Sequence, residues 1–263
     1  MKQPLPNIVG MGALGRAIRS LIPENLQVVV FCVKAYDLEK ALEEQQELWP
    51  KDTPFVALCN GDTSHILRNF QTKFLSRPVR SGMTTIGATV DSLGVLKVFS
   101  GQSVTRWGNL PGCTSNHSAT PDEVSLIQLN EGWSWENDMT PFIRKKWMMN
   151  ATINTLCAAL RLPKNGSLRN HRRLVDEVFD EAFELSFEIF PLSTSEKSLP
   201  GKDVARAELW SVVSATAENE NSMMRDVRLR RKTESSFLAG RAMGKPKYRQ
   251  LEGFHIKILH LTE

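Results

Sequence analysis

Short apolar runs, separated by segments of helical length, set the pattern from residue 7 to about residue 110. Ile8-Val9 reads as a strand and the segment after Gly12 as a helix, while residues 27–33 and 55–59 are runs apolar on both faces, as buried strands are. Helices are expected over residues 37–47, with Asp37 as the capping residue, and over residues 65–75. β-Branched residues and glycines then dominate residues 79–83, 94–98 and 103–107, the composition of an antiparallel addition to a parallel sheet. Residues 109–121 are turn-rich, and the chain returns to the sheet up to about Asp138.

From Thr140 the apolar spacing lengthens to that of helices. Phe142, Trp147, Met148, Ile153, Leu156 and Leu160 carry the pattern as far as Pro163, and Asn165-Gly166 marks a turn. Val175, Phe179, Ala182 and Phe183 line one face of the next helix, with Asp180 and Glu184 on its wet side. Residues 202–232 read as one long helix, which residues 235–243 continue or follow. An α/β domain over residues 1–138 is therefore expected ahead of an all-helical domain over residues 139–263.

Composition narrows the class without naming a function. With 41% hydrophobic and 24% charged residues, the chain belongs among ordinary globular proteins. No apolar run reaches the length of a membrane span, and Pro4 and Pro6 interrupt the place where a signal peptide needs a continuous apolar segment, so a cytoplasmic protein is expected. Cys32, Cys59, Cys113 and Cys157 have no paired spacing and read as small buried hydrophobes. A net charge of +4 favours anionic ligands in general. Its densest stretch, residues 225–232, lacks the interleaved aromatics of a nucleic-acid platform and reads as a solvated helix face. His65, His117, His171, His255 and His260 have no metal-ligand spacing and there is no nucleophile elbow, so nothing points to a metal enzyme or a hydrolase.

The chemistry begins at Gly10, Gly12 and Gly15. Glycines at this spacing, between a strand and a helix, let backbone approach a pyrophosphate at a helix N-terminus, which makes a dinucleotide the first ligand to consider and the N-terminal domain Rossmann-like. About 20 positions on, such a turn expects an acidic residue for the adenosine ribose or an Arg for a 2'-phosphate, yet that distance falls inside the apolar run that leads to Lys34. Lys34 and Asn60 each follow a buried strand and so stand at the carboxyl edge of the sheet, the ligand side, though either can also simply begin a loop.

Lys146, Asn150 and Asn154, four apart, stack on one helix face. Such a stripe is either a solvated face or a lysine that donates a proton, with two amides that position a substrate. A third group, Asn219, Ser222, Met223, Asp226, Thr233 and Glu234, lies near the end of the long helix. Asn219 and Ser222, three apart, are able to hold a carboxylate or hydroxyl. Glu234 pairs either with a catalytic lysine or with Arg230 or Arg231.

In order along the chain, Gly10-Met11-Gly12-Ala13-Leu14-Gly15, Val33-Lys34-Ala35-Tyr36, Cys59-Asn60-Gly61, Lys146 with Asn150 and Asn154, and Asn219 to Asp226 followed by Lys232-Thr233-Glu234 resemble the 2-dehydropantoate 2-reductase (ketopantoate reductase) family, from the first strand to about Gly244. The resemblance implies an NADPH-binding (NADP+) Rossmann-type domain joined to a helical one. It implies reduction of 2-dehydropantoate to pantoate on the route to pantothenate and coenzyme A. Lys146 would protonate the incipient alkoxide, and Glu234 would contact the substrate hydroxyl and help place Lys146. Asn150 and Asn154 would hold the substrate, Ser222 its carboxylate, and Asn219 would support them. The stretch Gly10, Met11, Gly12, Ala13, Leu14 and Gly15 would receive the pyrophosphate, with Lys34 and Asn60 near the ribose, the nicotinamide and the reacting carbonyl. No metal, nucleic acid or membrane partner is implied.

Two departures stand against that pattern. The family has about another βαβ-sized piece between the glycine turn and the strand that leads to Lys34, including the basic reader of the 2'-phosphate; Arg16 and Arg19 are candidate substitutes. The C-terminal segment, residues 254–261, is shorter than the usual helical finish. Loss of a central strand would expose sheet edges that a homodimer or a rearranged first helix would cover. A shortened reductase is thus expected, the alternative being a noncatalytic homologue that binds a small carboxylate or a protein partner.

Overall fold

Parallel pairing carries the first half of the chain. The computed structural model describes residues 7–91, 93–99, 103–111, 118–192, 196 and 201–262; readings that fall on Pro4, Pro6, Gly101, Cys113 and His117 lie outside them. The described strands are β1 (Ile8–Val9), β2 (Val29–Phe31), β3 (Phe55–Ala57), β4 (Val79–Thr84), β5 (Gly87–Val90), β6 (Leu96–Phe99), β7 (Thr105–Gly108) and β8 (Trp133–Glu136). Six of them form one sheet in the order β1-β2-β3-β4-β7-β8. β1 to β4 are parallel, β7 runs antiparallel to β4, and β8 is parallel to β7.

Helices α1 (Ala13–Arg19), α2 (Leu38–Gln45), α3 (Ser64–Lys73) and α4 (Pro121–Gln128) belong with this sheet. Successive side chains of β2 point to opposite faces. Val28 and Val30 share a core with Ile18, Val56, Trp107 and Leu126. Val29 and Phe31 point the other way, where the Phe31 ring lies 5.1 Å from that of Phe55 and Phe55 in turn stacks on Phe70 at 6.1 Å. The β2 run is apolar on both faces because both faces are covered.

One polar cluster interrupts this core. Glu123, wholly buried, caps α4 in a capping box with Thr120 and accepts from Arg80 Nε at 3.1 Å and from Trp107 Nε1 at 3.2 Å. Arg80 also donates to Asn109 Oδ1 at 3.0 Å and to the Ser118 carbonyl at 3.1 Å, so the buried pair is fully hydrogen-bonded and ties β4, β7 and α4 together.

Several expectations change. The hairpin β5–β6 forms its own two-stranded sheet, with Gly87 opposite Phe99, instead of extending the main one. Asp91 turns the chain back on itself: its carboxylate accepts from the Leu93 and Val95 amides, and Gly94 has φ +78°. Asp37 makes no side-chain cap, because a 3-10 turn over Ala35–Asp37 already leads into α2. No central strand is lost: β1 pairs directly with β2, and it sits at the sheet edge. Relative to the usual doubly wound order, the strands that would flank the outer side of β1 are the ones not found among the described residues.

The second half is helical: α5 (Thr140–Ala159), α6 (Arg172–Ile189), α7 (Lys202–Ala215), α8 (Ser222–Arg228) and α9 (Arg249–Thr262). α5 buries most of its surface, and α6 buries Val175, Val178, Phe179, Ala182 and Phe183 at helical spacing. The long helix expected over residues 202–232 is broken into α7 and α8. Asn165 braces the break from both sides. Its amide donates to Thr216 Oγ1 at 2.9 Å, and its carbonyl oxygen accepts from Asn221 Nδ2 at 3.1 Å, while Asn221 caps α8 by accepting from the Met224 amide. Residues 235–243 are two 3-10 turns, Ser235–Phe237 and Ala239–Ala242, and the C-terminal stretch expected over 254–261 belongs to the longer α9.

The chain divides into two compact units, Met1–Cys59 with Thr63–Ile143 and Asn60–Asp62 with Arg144–Glu263. The division falls inside α5, and the three residues after Cys59 belong to the helical unit. No helix of the described residues is long and apolar enough to cross a membrane.

Candidate active site

In the sheet unit, the glycine turn joins β1 to α1, and its three glycines meet different surroundings. Gly10 has φ +94°, and a Cβ there would stand 2.7 Å from the Cys32 carbonyl oxygen. A Cβ on Gly15 would stand 1.7 Å from the Gly10 carbonyl oxygen, so α1 can approach β1 only through a glycine. Around Gly12, the N-cap of α1, a Cβ would meet nothing within 4 Å. Gly10 and Gly15 are thus needed by the fold, whereas Gly12 leaves open backbone. Met11, 50% exposed, lies beside that opening, and Ala13 and Leu14 begin the helix. Lys34 follows β2 as the N-cap of the 3-10 turn, half-buried, with the Asp37 amide bonded to its carbonyl at 2.9 Å.

In the helical unit, Lys146, Asn150 and Asn154 lie on one face of α5, one turn apart. Lys146 and Asn150 are half-buried. Asn150 Nδ2 donates to Asn60 Oδ1 at 3.5 Å, which brings the residue from the β3–α3 loop to the stripe. Asn154 is the most deeply placed of the three, 8% exposed.

Glu234 is buried at the start of the 3-10 turn Ser235–Phe237, and the Phe237 amide closes that turn on the Glu234 carbonyl at 3.0 Å. Trp147, next to Lys146, donates through Nε1 to the Phe237 carbonyl at 3.0 Å, which fastens the lysine's helix to the glutamate's turn. Asn219 and Ser222 are not on one helix face: Asn219 lies in the α7–α8 loop, where its carbonyl accepts from the Asn165 amide at 3.0 Å, and Ser222 is the exposed first residue of α8. Neither side chain hydrogen-bonds another described residue.

Three features escaped the sequence reading. Trp147 looks like a core aromatic until its indole finds the Phe237 carbonyl. The Asn60–Asp62 segment belongs to the helical unit although it follows a strand. Ser235 Oγ and His255 Nδ1, both buried, share a 2.7 Å hydrogen bond that pins the Glu234 turn to α9. Of the thiols, Cys157 is buried and Cys32 and Cys59 are half-buried, the last two less than expected. Burial pushes Cys32 and Cys157 up to about 12, so both are protonated at neutral pH.

Burial pushes the His255 imidazole below its ordinary value of 6.5. The unfolded chain therefore takes up this proton more readily, and the stability that neutral His255 provides is present above 6.5 and drains as the pH falls below it. Urea unfolding from pH 8 to pH 5 should show a loss in the wild type that is flatter in His255→Gln. Ser235→Ala, which removes the imidazole's partner, should cost about 1–3 kcal/mol at pH 7.5.

Residues 18–112 match the family model described as ketopantoate reductase PanE/ApbA, and residues 138–252 match its C-terminal counterpart. The glycine turn lies ahead of the first matched residue. The 2-dehydropantoate 2-reductase of Shigella flexneri is 26% identical over 214 residues, covering 81% of this chain and 65% of that protein. That of Archaeoglobus fulgidus is 28% identical over 228 residues, covering 83% and 69%. The chain thus spans about two thirds of the length of these relatives. Among solved structures, a complex of D-mandelate dehydrogenase with NADH superposes with a TM-score of 0.71 at 21% identity, over 89% of this chain and 78% of that one, which is a likeness of fold.

Proposed function

The chain belongs to the ketopantoate reductase family, and on that premise we propose that it reduces the 2-keto group of 2-dehydropantoate to give pantoate, with NADPH as the nicotinamide cofactor. The observation that carries this reading is the Lys146, Asn150 and Asn154 face of α5, where an ammonium group and two amides follow one another a turn apart. A small polar molecule with a carbonyl and hydroxyls suits such a face.

The open backbone at Gly12 fits a pyrophosphate, since nothing of the protein occupies the space a side chain would fill there. Gly10 to Gly15 would hold that group, with Lys34 and Asn60 toward the ribose and nicotinamide. When bound, the cofactor supplies a hydride to the keto carbon. Lys146 donates a proton from Nζ to the carbonyl oxygen as negative charge builds on it, and is reprotonated from water. Asn150 and Asn154 orient the substrate by hydrogen bonds, and the Ser222 hydroxyl donates to its carboxylate at the start of α8, with Asn219 beside it. Glu234 accepts from the substrate hydroxyl and helps place Lys146. The adenosine end is less well provided for, since no strand flanks β1 on its outer side among the described residues. Arg16 and Arg19, exposed on α1, are the cations available for a 2'-phosphate.

Calorimetric titration with NADPH and NADH, followed by the fall in nicotinamide absorbance on addition of 2-dehydropantoate, tests this reading. NADPH binding with turnover is expected. Failure to bind either nucleotide sinks it and favours the noncatalytic homologue, a reading that the edge position of β1 among the described strands supports.

A further inference from the structure

Asn60 does not reach Asn150 by its own bond alone. The two residues after it are fastened in the helical unit at three points. Gly61 has φ +82°, and a Cβ there would stand 2.6 Å from Phe237 Cβ and 2.7 Å from the Phe237 carbonyl oxygen, so the loop lies directly on that residue. The Asp62 amide donates to the same carbonyl at 2.8 Å. The Asp62 carboxylate, 4% exposed, is 3.2 Å from Arg241 Nε, on the 3-10 turn Ala239–Ala242.

The Phe237 carbonyl is the shared point. It accepts from the Asp62 amide and from Trp147 Nε1, which uses both of its lone pairs, and the Phe237 amide bonds back to Glu234. One backbone group thereby joins the Asn60 loop, the Lys146 helix and the Glu234 turn. A bond to one neutral amide is a modest tether. A buried carboxylate paired with a cation is a firmer one, because parting the two charges is costly.

We propose that Asp62 and Arg241 are positioning residues: their ion pair clamps the Asn60 loop onto the Phe237 carbonyl and so fixes the Asn60 amide beside Asn150. What Asn60 then does in the reaction rests on the reductase reading; the clamp itself does not. Neither residue is among those assigned to the substrate or the cofactor. Arg241 is 41% exposed, so its replacement leaves the packing of the turn intact.

The test has one arm that is independent of chemistry. Amide hydrogen exchange, followed by NMR in the full chain without ligand, should show the Asp62 amide exchanging about tenfold faster or more in Arg241→Gln, with amides of α6 unchanged. Arg241→Lys, which keeps the charge, should restore most of the protection, and Asp62→Asn combined with Arg241→Gln should be little worse than either alone. In the enzymatic arm, Arg241→Gln should lower kcat by about 10-fold to 100-fold, the size of effect that slight misplacement of a reacting group produces, while the dissociation constant for NADPH stays within about twofold. Unchanged Asp62 exchange overturns the clamp whatever the kinetics show. Faster exchange with unaltered kcat in a protein that turns over overturns the positioning role. If the wild type has no reductase activity, that reading fails, and the exchange arm still decides the clamp.

Discussion

Lys146→Met should lower kcat for reduction of 2-dehydropantoate by roughly 10²-fold to 10⁴-fold, the range associated with loss of a positioned proton donor. The side chain is half-buried and one turn from Asn150, so removal of its ammonium takes the proposed acid away from the amides without opening a hole in the core. The melting temperature should change little, and the NADPH dissociation constant should stay within about twofold, because Lys146 is on α5 and the glycine turn is assigned the pyrophosphate. Asn154→Ala should behave differently, mainly through a higher KM, if that amide's partner is the substrate. Unaltered kcat in Lys146→Met would remove the lysine from the reaction.

The second large effect separates glycines that a sequence motif treats alike. Gly15→Ala would press a methyl to 1.7 Å from the Gly10 carbonyl oxygen, and both atoms belong to backbone, so no side chain can swing aside. The expected destabilisation is at or above the upper end of the ~1–3 kcal/mol typical of overpacking, read as a lowered urea midpoint. Gly12→Ala meets nothing within 4 Å and has φ −66°, an ordinary conformation for alanine. Its stability should stay within about 0.5 kcal/mol of wild type. If a pyrophosphate lies on that backbone, however, the methyl intrudes on it, and the NADPH dissociation constant should rise by about tenfold or more, equivalent to about 1.4 kcal/mol. Folded Gly12→Ala with unchanged nucleotide affinity would remove the turn from the cofactor site.

The parts of this molecule legible in the sequence are those set by neighbours along the chain. The apolar runs of β2 and β3, the glycine spacing and the four-residue spacing of Lys146, Asn150 and Asn154 are all local. What the sequence hid depends on residues far apart. The polar stretch around residues 216–221 has no proline, and Asn165, more than 50 positions earlier, bonds to both sides of the break there. Arg80 and Glu123 are 43 residues apart and give no periodic sign of their pairing. Phe237 joins the site through its backbone carbonyl, a group every residue carries, so its identity offers no clue. The resemblance supplied the family and the roles of the candidate residues, whereas the reading of residues 202–232 as one helix placed Asn219 and Ser222 together on a helix that is in fact two.

The edge position of β1 has a consequence for how a nucleotide would be held. A strand in mid-sheet is laced from both sides, but β1 is two residues long and, among the described residues, is laced from one, with bonds from the Val30 amide to the Asn7 carbonyl and from the Cys32 amide to the Val9 carbonyl, each 2.8 Å. Its undocking costs few backbone bonds, so it belongs to the easily opened part of the sheet. The glycine turn exists in its bent form only while β1 is seated, since Gly10 and Gly15 derive their close approach from each other and from Cys32. A nucleotide would therefore bind the seated fraction alone, its apparent affinity discounted by the time the strand spends away, and in binding it would act as the missing neighbour that holds β1 in place.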